Sequence, residues 1–222
     1  MNIIKVSMTK RSYKQHCALA HALDVVGERW TLLVVRELLT GPKRFTDLQH
    51  NLPGIGTNLL AARLRELEEA DLLRRDTLPP PAASAVYELT SNGRMLENVI
   101  VELVGWGLRS IDVPTHSDHR RSPWSLLALR ALTFEMAPAD LTAEIEFHVG
   151  GEVFHGRICD ATLSVEQGAS WQEPDLIVTA DSDILLSIVV GRLNVTDAIS
   201  SGTFQVEGGG TLKELFLGAM KR

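Results

Sequence analysis

Leu19, Leu23 and Val26 recur at the spacing of one helix face until Gly27 interrupts them, and Trp30, Leu33, Val34 and Leu38 form a second stripe that Gly41-Pro42 ends. Both read as core helices. Thr46-Asp47-Leu48-Gln49, preceded by Phe45, has the form of a capping box, with the Thr hydroxyl accepting from the amide three residues on and Gln reaching back. A short helix is therefore expected from Thr46 to near Pro53-Gly54. From Thr57 to Leu72 the residues Leu60, Leu64 and Leu67 line one face, while Asn58, Arg65 and Glu69 lie away from it. Leu72-Leu73-Arg74-Arg75 and Ala85-Val86-Tyr87-Glu88-Leu89 read as two strands joined by the stiff tip Leu78-Pro79-Pro80-Pro81-Ala82-Ala83. Thr90 then caps a helix whose stripe of Met95, Val99, Leu103 and Trp106 is more apolar than one small domain needs. A dimer interface accounts for the excess.

Asp112 to Pro123 lacks apolar periodicity and is bracketed by prolines, which places a linker at 113–123. Beyond it, Trp124 to Met136 reads as a helix and Leu141 to Asp160 as a hairpin turning at Gly150-Gly151. With Val149 opposite Glu152, Phe147 meets Phe154 and Ile145 meets Gly156, so the apolar residues share a face with Ile158. On the other face Glu146 meets His155 and Glu144 meets Arg157, pairs worth about 0.2–1 kcal/mol each. Strands are expected at Ala161 to Glu166 and Asp175 to Ala180. An apolar helix follows from Asp181-Ser182-Asp183 to Val190, and a short one from Val195 to Ser201. Phe204-Gln205-Val206-Glu207 is a last strand and Thr211 to Met220 a last helix. The second half is α+β, one sheet carrying apolar helices.

The chain of 222 residues, 45% hydrophobic, is long enough for two cores of roughly 100 residues each. No stretch approaches a membrane span, and Met1 to Lys14 is polar and basic without an apolar signal core, so a soluble, cytoplasmic protein is expected. Cys17 and Cys159 lie far apart and form no CxxC pair, which suggests neither a disulfide framework nor a zinc site. The net charge of −6 counts against nucleic-acid binding only until it is divided. Residues 1–113 hold 14 Lys and Arg against 13 Asp and Glu, a net of +1, whereas 114–222 hold 8 against 15, a net of −7. The acidity belongs to the second half, and Lys10-Arg11, Lys43-Arg44 and Arg74-Arg75 are cation clusters in the first.

Cys17, Leu23-Asp24-Val25-Val26-Gly27 followed by Trp30, Arg36-Glu37-Leu38-Leu39, Gly41-Pro42, Arg44-Phe45-Thr46-Asp47-Leu48, Leu52-Pro53-Gly54-Ile55, Arg63-Leu64-Arg65-Glu66-Leu67 and Tyr87-Glu88-Leu89-Thr90 stand in one order. In that order they resemble the HxlR-type winged helix-turn-helix transcription regulators. The resemblance implies that residues 1–112 form a DNA-binding and dimerisation domain. It further implies a homodimer on double-stranded DNA, each recognition helix in a major groove and each wing near the backbone or minor groove. Asp175-Leu176-Ile177-Val178-Thr179-Ala180, Asp183-Ile184-Leu185-Leu186-Ser187-Ile188, Gly191-Arg192-Leu193, Ala198-Ile199-Ser200-Ser201-Gly202 and Phe204-Gln205-Val206-Glu207-Gly208 resemble a sterol-carrier-protein-type-2 fold. That resemblance implies a small α+β module at 124–222 with an apolar cavity for a hydrophobic small-molecule effector.

Within these frames, Thr57 and Asn58 open the recognition helix, where Asn can bond adenine bidentately or simply start a helix. Ala61 and Ala62 leave thymine-methyl contact or close approach. Arg63 and Arg65 are candidates for phosphates, with Glu66 and Glu69 near enough to pair with them instead. Arg44 and Thr46 at the positioning helix and Arg74 and Arg75 at the wing base fit backbone contacts that orient without reading sequence. The wing carries Ala83-Ser84-Ala85 where relatives often place an arginine. Phe134, Phe147, Phe154, Trp171, Ile188 and Phe216 line a cavity or fill a core. Cys17, after Lys14 and His16, sits where some relatives keep a redox thiol. His116 and His119 have no third metal ligand nearby; His148 and His155 read as strand-surface residues, the latter paired with Glu146. Gly208-Gly209-Gly210 reads as a flexible connection. No catalytic constellation and no cofactor motif stands in the chain. The leading expectation is a homodimeric, sequence-specific transcription regulator, a repressor, with an effector-binding second domain. The alternatives are a lipid or acyl-chain carrier using the winged helix for dimerisation, and a thiol sensor acting through Cys17.

Overall fold

The computed structural model describes residues 12–79, 81, 83–108, 122–133, 141–159 and 162–220, so Lys10, Arg11, His116, His119, Phe134 and most of the expected linker lie outside the described residues. The chain divides into two compact units, up to Ile100 and from Val101 onward. Ser122 and Pro123, placed at the linker's end by sequence, already belong to a helix.

The first unit runs α1 (Ala18–Val26), α2 (Thr31–Leu38), α3 (Phe45–Asn51), α4 (Thr57–Glu69), β1 (Leu73–Thr77), β2 (Ala85–Leu89), α5 (Ser91–Arg94) and the start of α6 (Leu96–Gly107). Its core is built from Val34, Val35 and Leu38 of α2, Leu48 of α3, Leu60, Leu64 and Leu67 of α4, and Leu73 and Val86 of the hairpin. Full burial of each large side chain contributes about 1.5–3 kcal/mol, so α4 is held by its three leucines. The expectation that α1 buries its stripe is corrected: Leu19 is 67% exposed and Leu23 is exposed too, and only Ala20 of that helix is buried. Leu33 also faces outward, because Val34 and Val35 together take the core side of α2.

Helix α3 starts one residue earlier than the capping-box pattern predicts. Arg44 is its N-cap, and its amide donates to the Asp47 carboxylate at 3.1 Å. Thr46 therefore lies inside the first turn, and Gln49 is free to reach elsewhere. The β1–β2 hairpin pairs Leu73 with Leu89 through Thr77 with Ala85. Lys43 adds a short third element, exchanging backbone bonds with Tyr87 at 3.0 and 2.8 Å. Thr90 is a cap as the pattern predicts, accepting from the Gly93 amide at 3.1 Å and donating to the Asp71 carbonyl at 2.6 Å, but the helix it starts is the short α5, which ends before the α6 that carries Val99, Leu103 and Trp106.

The second unit begins within α6 and continues through α7 (Ser122–Thr133), β3 (Ala143–Val149), β4 (Glu152–Cys159), β5 (Thr162–Gln167), β6 (Leu176–Ala180), α8 (Ser182–Val189), α9 (Val195–Ser200), β7 (Phe204–Gly208) and α10 (Gly210–Ala219). The sheet order is β5-β4-β3-β6-β7, parallel only between β3 and β6. This is the α+β arrangement read from the sequence. The hairpin register is also the expected one, with Phe147 opposite Phe154 and Ile145 opposite Gly156, turning through Gly150 and Gly151 at φ 59° and 81°. Alternation then sends Ile145, Phe147, Val149, Phe154, Val178 and Phe204 into one core with the apolar sides of α7, α8 and α10.

The opposite face is polar and in the expected register, and only the histidine contacts depart from the expected ones. His155 Nε2 lies 2.5 Å from Glu144, not on Glu146 directly across, and His148 Nε2 takes Glu146 at 2.6 Å along its own strand. Diagonal neighbours come within reach of long side chains, while Arg157 meets Glu144 directly across at 3.4 Å, as expected. The hydrogen bond from His148, helped by the Ser170 amide and opposed by burial, holds the Glu146 carboxyl below its ordinary 4.5.

Two outcomes follow from this packing. A methyl group at Gly93 would stand 1.9 Å from the Leu72 carbonyl oxygen and 3.2 Å from Leu89. Gly93→Ala is expected to cost about 3 kcal/mol, the upper range for overpacking, seen as a lower urea midpoint; an unchanged midpoint would contradict the close approach. Because the Glu146 pKa is lowered in the folded state, its contribution is complete above the ordinary carboxylate value and is lost as pH falls through the lowered one. His148→Ala is expected to bring the Glu146 titration back toward 4.5, as followed by carboxyl-carbon NMR.

Candidate nucleic-acid interface

Helices α3 and α4 are joined by a tight turn in which Gly54 adopts φ 91° and the Ile55 amide donates to the Leu52 carbonyl at 3.1 Å. The Trp30 ring lies 3.6 Å from where a Cβ on Gly54 would stand, so the turn packs under an indole. Trp30 itself holds φ 80°, a left-handed conformation that a bulky residue adopts only when its surroundings impose it. Arg29 lies over the Trp30 ring at 5.3 Å, a cation that sequence reasoning passed over.

With Leu60, Leu64 and Leu67 turned inward, α4 presents Thr57, Asn58, Leu59 and Arg65 outward, and Ala61 and Ala62 are half-buried between the two sides. The Gln49 amide donates to the Thr57 hydroxyl at 2.6 Å. The side chain assigned by pattern to capping α3 thus ties α3 to the first residue of α4. Leu59 was missed as a candidate, although its place outside the 60/64/67 row was visible in the spacing. Its exposed methyl groups suit an apolar contact such as a thymine methyl.

The arginines fall into two groups. Arg74 pairs with Glu88 across the wing at 2.6 Å, and that bond raises its pKa further. Arg75 lies 3.4 Å from Glu68 and over the Tyr87 ring at 5.4 Å. Both are exposed, as are Arg44 and Thr46 at the start of α3. Water and salt screen exposed ion pairs, so Arg74 and Arg75 can exchange their carboxylates for phosphates at small cost. Arg63 is different, and its assignment to a phosphate is corrected. Its side chain is 14% exposed and donates to Glu28 at 3.1 Å and to Glu66, directed away from the outward side of α4.

Of the residues assigned to an apolar cavity, Phe147, Phe154, Ile188 and Phe216 are buried in the second core, with the Phe147 and Phe216 rings 6.3 Å apart. Trp171 is fully exposed on the loop between β5 and β6, so its assignment to a cavity lining is corrected. Cys17 is the exposed N-cap of α1, and Cys159 is half-buried on β4; neither forms a disulfide. Met95 (75% exposed), Val99, Leu103 and Trp106 (70% exposed) form a continuous outward stripe from the end of α5 along α6. Among the described residues no helix is long and apolar enough to cross a membrane.

Residues 25–114 match the HxlR-like helix-turn-helix family. Over 85 residues the chain is 36% identical to the HTH-type transcriptional regulator YodB of Bacillus subtilis, covering 38% of this chain and 76% of that protein. It is 34% identical over 91 residues to the uncharacterised HTH-type transcriptional regulator YvaP of the same organism, covering 41% and 84%. The reduced form of YodB from B. subtilis, as a solved structure, is 31% identical and covers 46% of this chain and all of that one, with a TM-score of 0.39.

Proposed function

The chain belongs to the HxlR-like helix-turn-helix family, and from that premise we propose that it is a homodimeric, sequence-specific DNA-binding transcription regulator in which α4 enters the major groove. The observation that carries this reading is the exposed start of α4, Thr57, Asn58 and Leu59, on a helix locked into the core by Leu60, Leu64 and Leu67. Asn58 suits bidentate contact to adenine, Leu59 a thymine methyl, and Arg65 a phosphate. Arg44, Arg74 and Arg75 supply orienting backbone contacts. Dimerisation is supported by the stripe of Met95, Val99, Leu103 and Trp106, and by the outward Leu19 and Leu23 of α1, each an apolar surface that water penalises. The second unit, whose strand and helix pattern resembles sterol-carrier modules, is proposed to bind an apolar effector. Half-buried Ile184, Leu186, Leu193, Leu212 and Leu217 at the margin of its core support that role. Such a ligand regulates only if it favours one of two dimer arrangements over the other.

Selection of duplexes from a random pool at low salt is expected to enrich one sequence. On that duplex Asn58→Ala weakens binding by about 1–3 kcal/mol while leaving non-specific binding unchanged. Failure to enrich any sequence sinks the DNA reading. Sedimentation of the wild type is expected to give twice the 24.4 kDa chain mass, and Leu103→Glu a single chain; a monomeric wild type removes the dimer. Native mass spectrometry is expected to detect an apolar adduct on the purified chain. An adduct without DNA affinity would instead favour a lipid or acyl-chain carrier.

A further inference from the structure

Arg63 is set on the recognition helix yet spends its charge on two carboxylates of the protein itself. Its guanidinium reaches Glu28 at 3.1 Å, 35 positions back in the turn between α1 and α2, and Glu66 one turn further along α4. Its Nε is buried without a hydrogen-bond partner among the described residues, so the side chain is drawn inward by the two carboxylates although one donor goes unfilled. Two residues after Glu28, Trp30 holds its left-handed backbone with its ring against Gly54, in the turn that leads into α4. One short turn, Gly27–Trp30, therefore touches the recognition helix at its middle through Glu28 and the approach to it through Trp30.

We infer that this turn is a clamp that sets the angle at which α4 is presented to DNA, with Arg63 a positioning residue and not a phosphate contact. The inference rests on the DNA-binding reading above and deepens it. The clamp is the continuation of α1, whose Leu19 and Leu23 face outward.

The test uses the full chain and the duplex that the wild type enriches, with affinity measured over a series of KCl concentrations. Glu28→Ala and Glu28→Gln remove the same negative charge, which by electrostatics alone strengthens binding to a polyanion. The clamp demands the opposite for one of them. Glu28→Ala, which leaves Arg63 without that acceptor, weakens binding about tenfold, whereas Glu28→Gln keeps an acceptor oxygen and stays within about threefold of wild type. Arg63→Met weakens binding with the salt slope unchanged, because a true phosphate contact would lower that slope by about 0.9 for each one lost. Binding by Glu28→Ala as tight as wild type, or a reduced slope for Arg63→Met, overturns the clamp. If Glu28→Ala does not fold, the Arg63→Met slope and the Glu28→Gln affinity decide by themselves. A wild type that enriches no duplex overturns the DNA reading, an outcome distinct from either.

Discussion

Three leucines of α4, Leu60, Leu64 and Leu67, are the constraint on which the first unit depends. Their burial contributes several kcal/mol in total at about 1.5–3 kcal/mol per side chain, more than any polar contact nearby. It fixes which side of the helix is available to a partner. With the helix rotation set in this way, Thr57, Asn58, Leu59 and Arg65 have no apolar side to retreat to and stay in water. The surface proposed to read DNA is the remainder left when the core has taken its share.

Polar contacts then refine what the leucines decide. Gln49 on Thr57 joins α3 to α4, Arg63 on Glu28 joins α4 to the turn after α1, and Thr90 on Asp71 and Gly93 joins the hairpin base to α5. Each is worth on the order of 1 kcal/mol, too little to fold a domain and enough to hold an angle. The exposed pairs Arg74–Glu88 and Arg75–Glu68 are screened by solvent, which leaves those arginines exchangeable. In the proposed interface, the contrast between the half-buried Arg63 and the exposed wing arginines separates positioning from contact.

In the second unit the same division of faces is made by a sheet. Period-two alternation sends Ile145, Phe147 and Val149 to the helices and Glu144, Glu146 and His148 to the other side. The aromatic residues on the inner face are packed against one another and against α10, where Phe216 meets Phe147. The polar face is organised by carboxylate–imidazole pairs that run diagonally and along a strand, since these side chains are long enough to choose among several neighbours.

Much of this was legible in the order of residues. The helical row of α4, the cap at Thr90, the hairpin register about Gly150-Gly151 and the two-domain α+β plan all follow from spacing and turn chemistry, which act over a few residues. Where those local signals failed, a distant partner had intervened. Thr46 and Gln49 fit a capping box, but Asp47 took the Arg44 amide and Thr57 took Gln49. Leu19 and Leu23 fit a core stripe, but α2 and α4 had already filled that core. Helical spacing set Arg65 opposite the leucines of α4, but for Arg63 it offered only the neighbouring Glu66 as a partner. Sequence by itself determined most of the elements and the leucine side of α4; only the tertiary structure decided that α1 keeps its stripe outward and that Arg63 is tied to Glu28, because that partner lies 35 residues away and comes within reach only when the chain has folded.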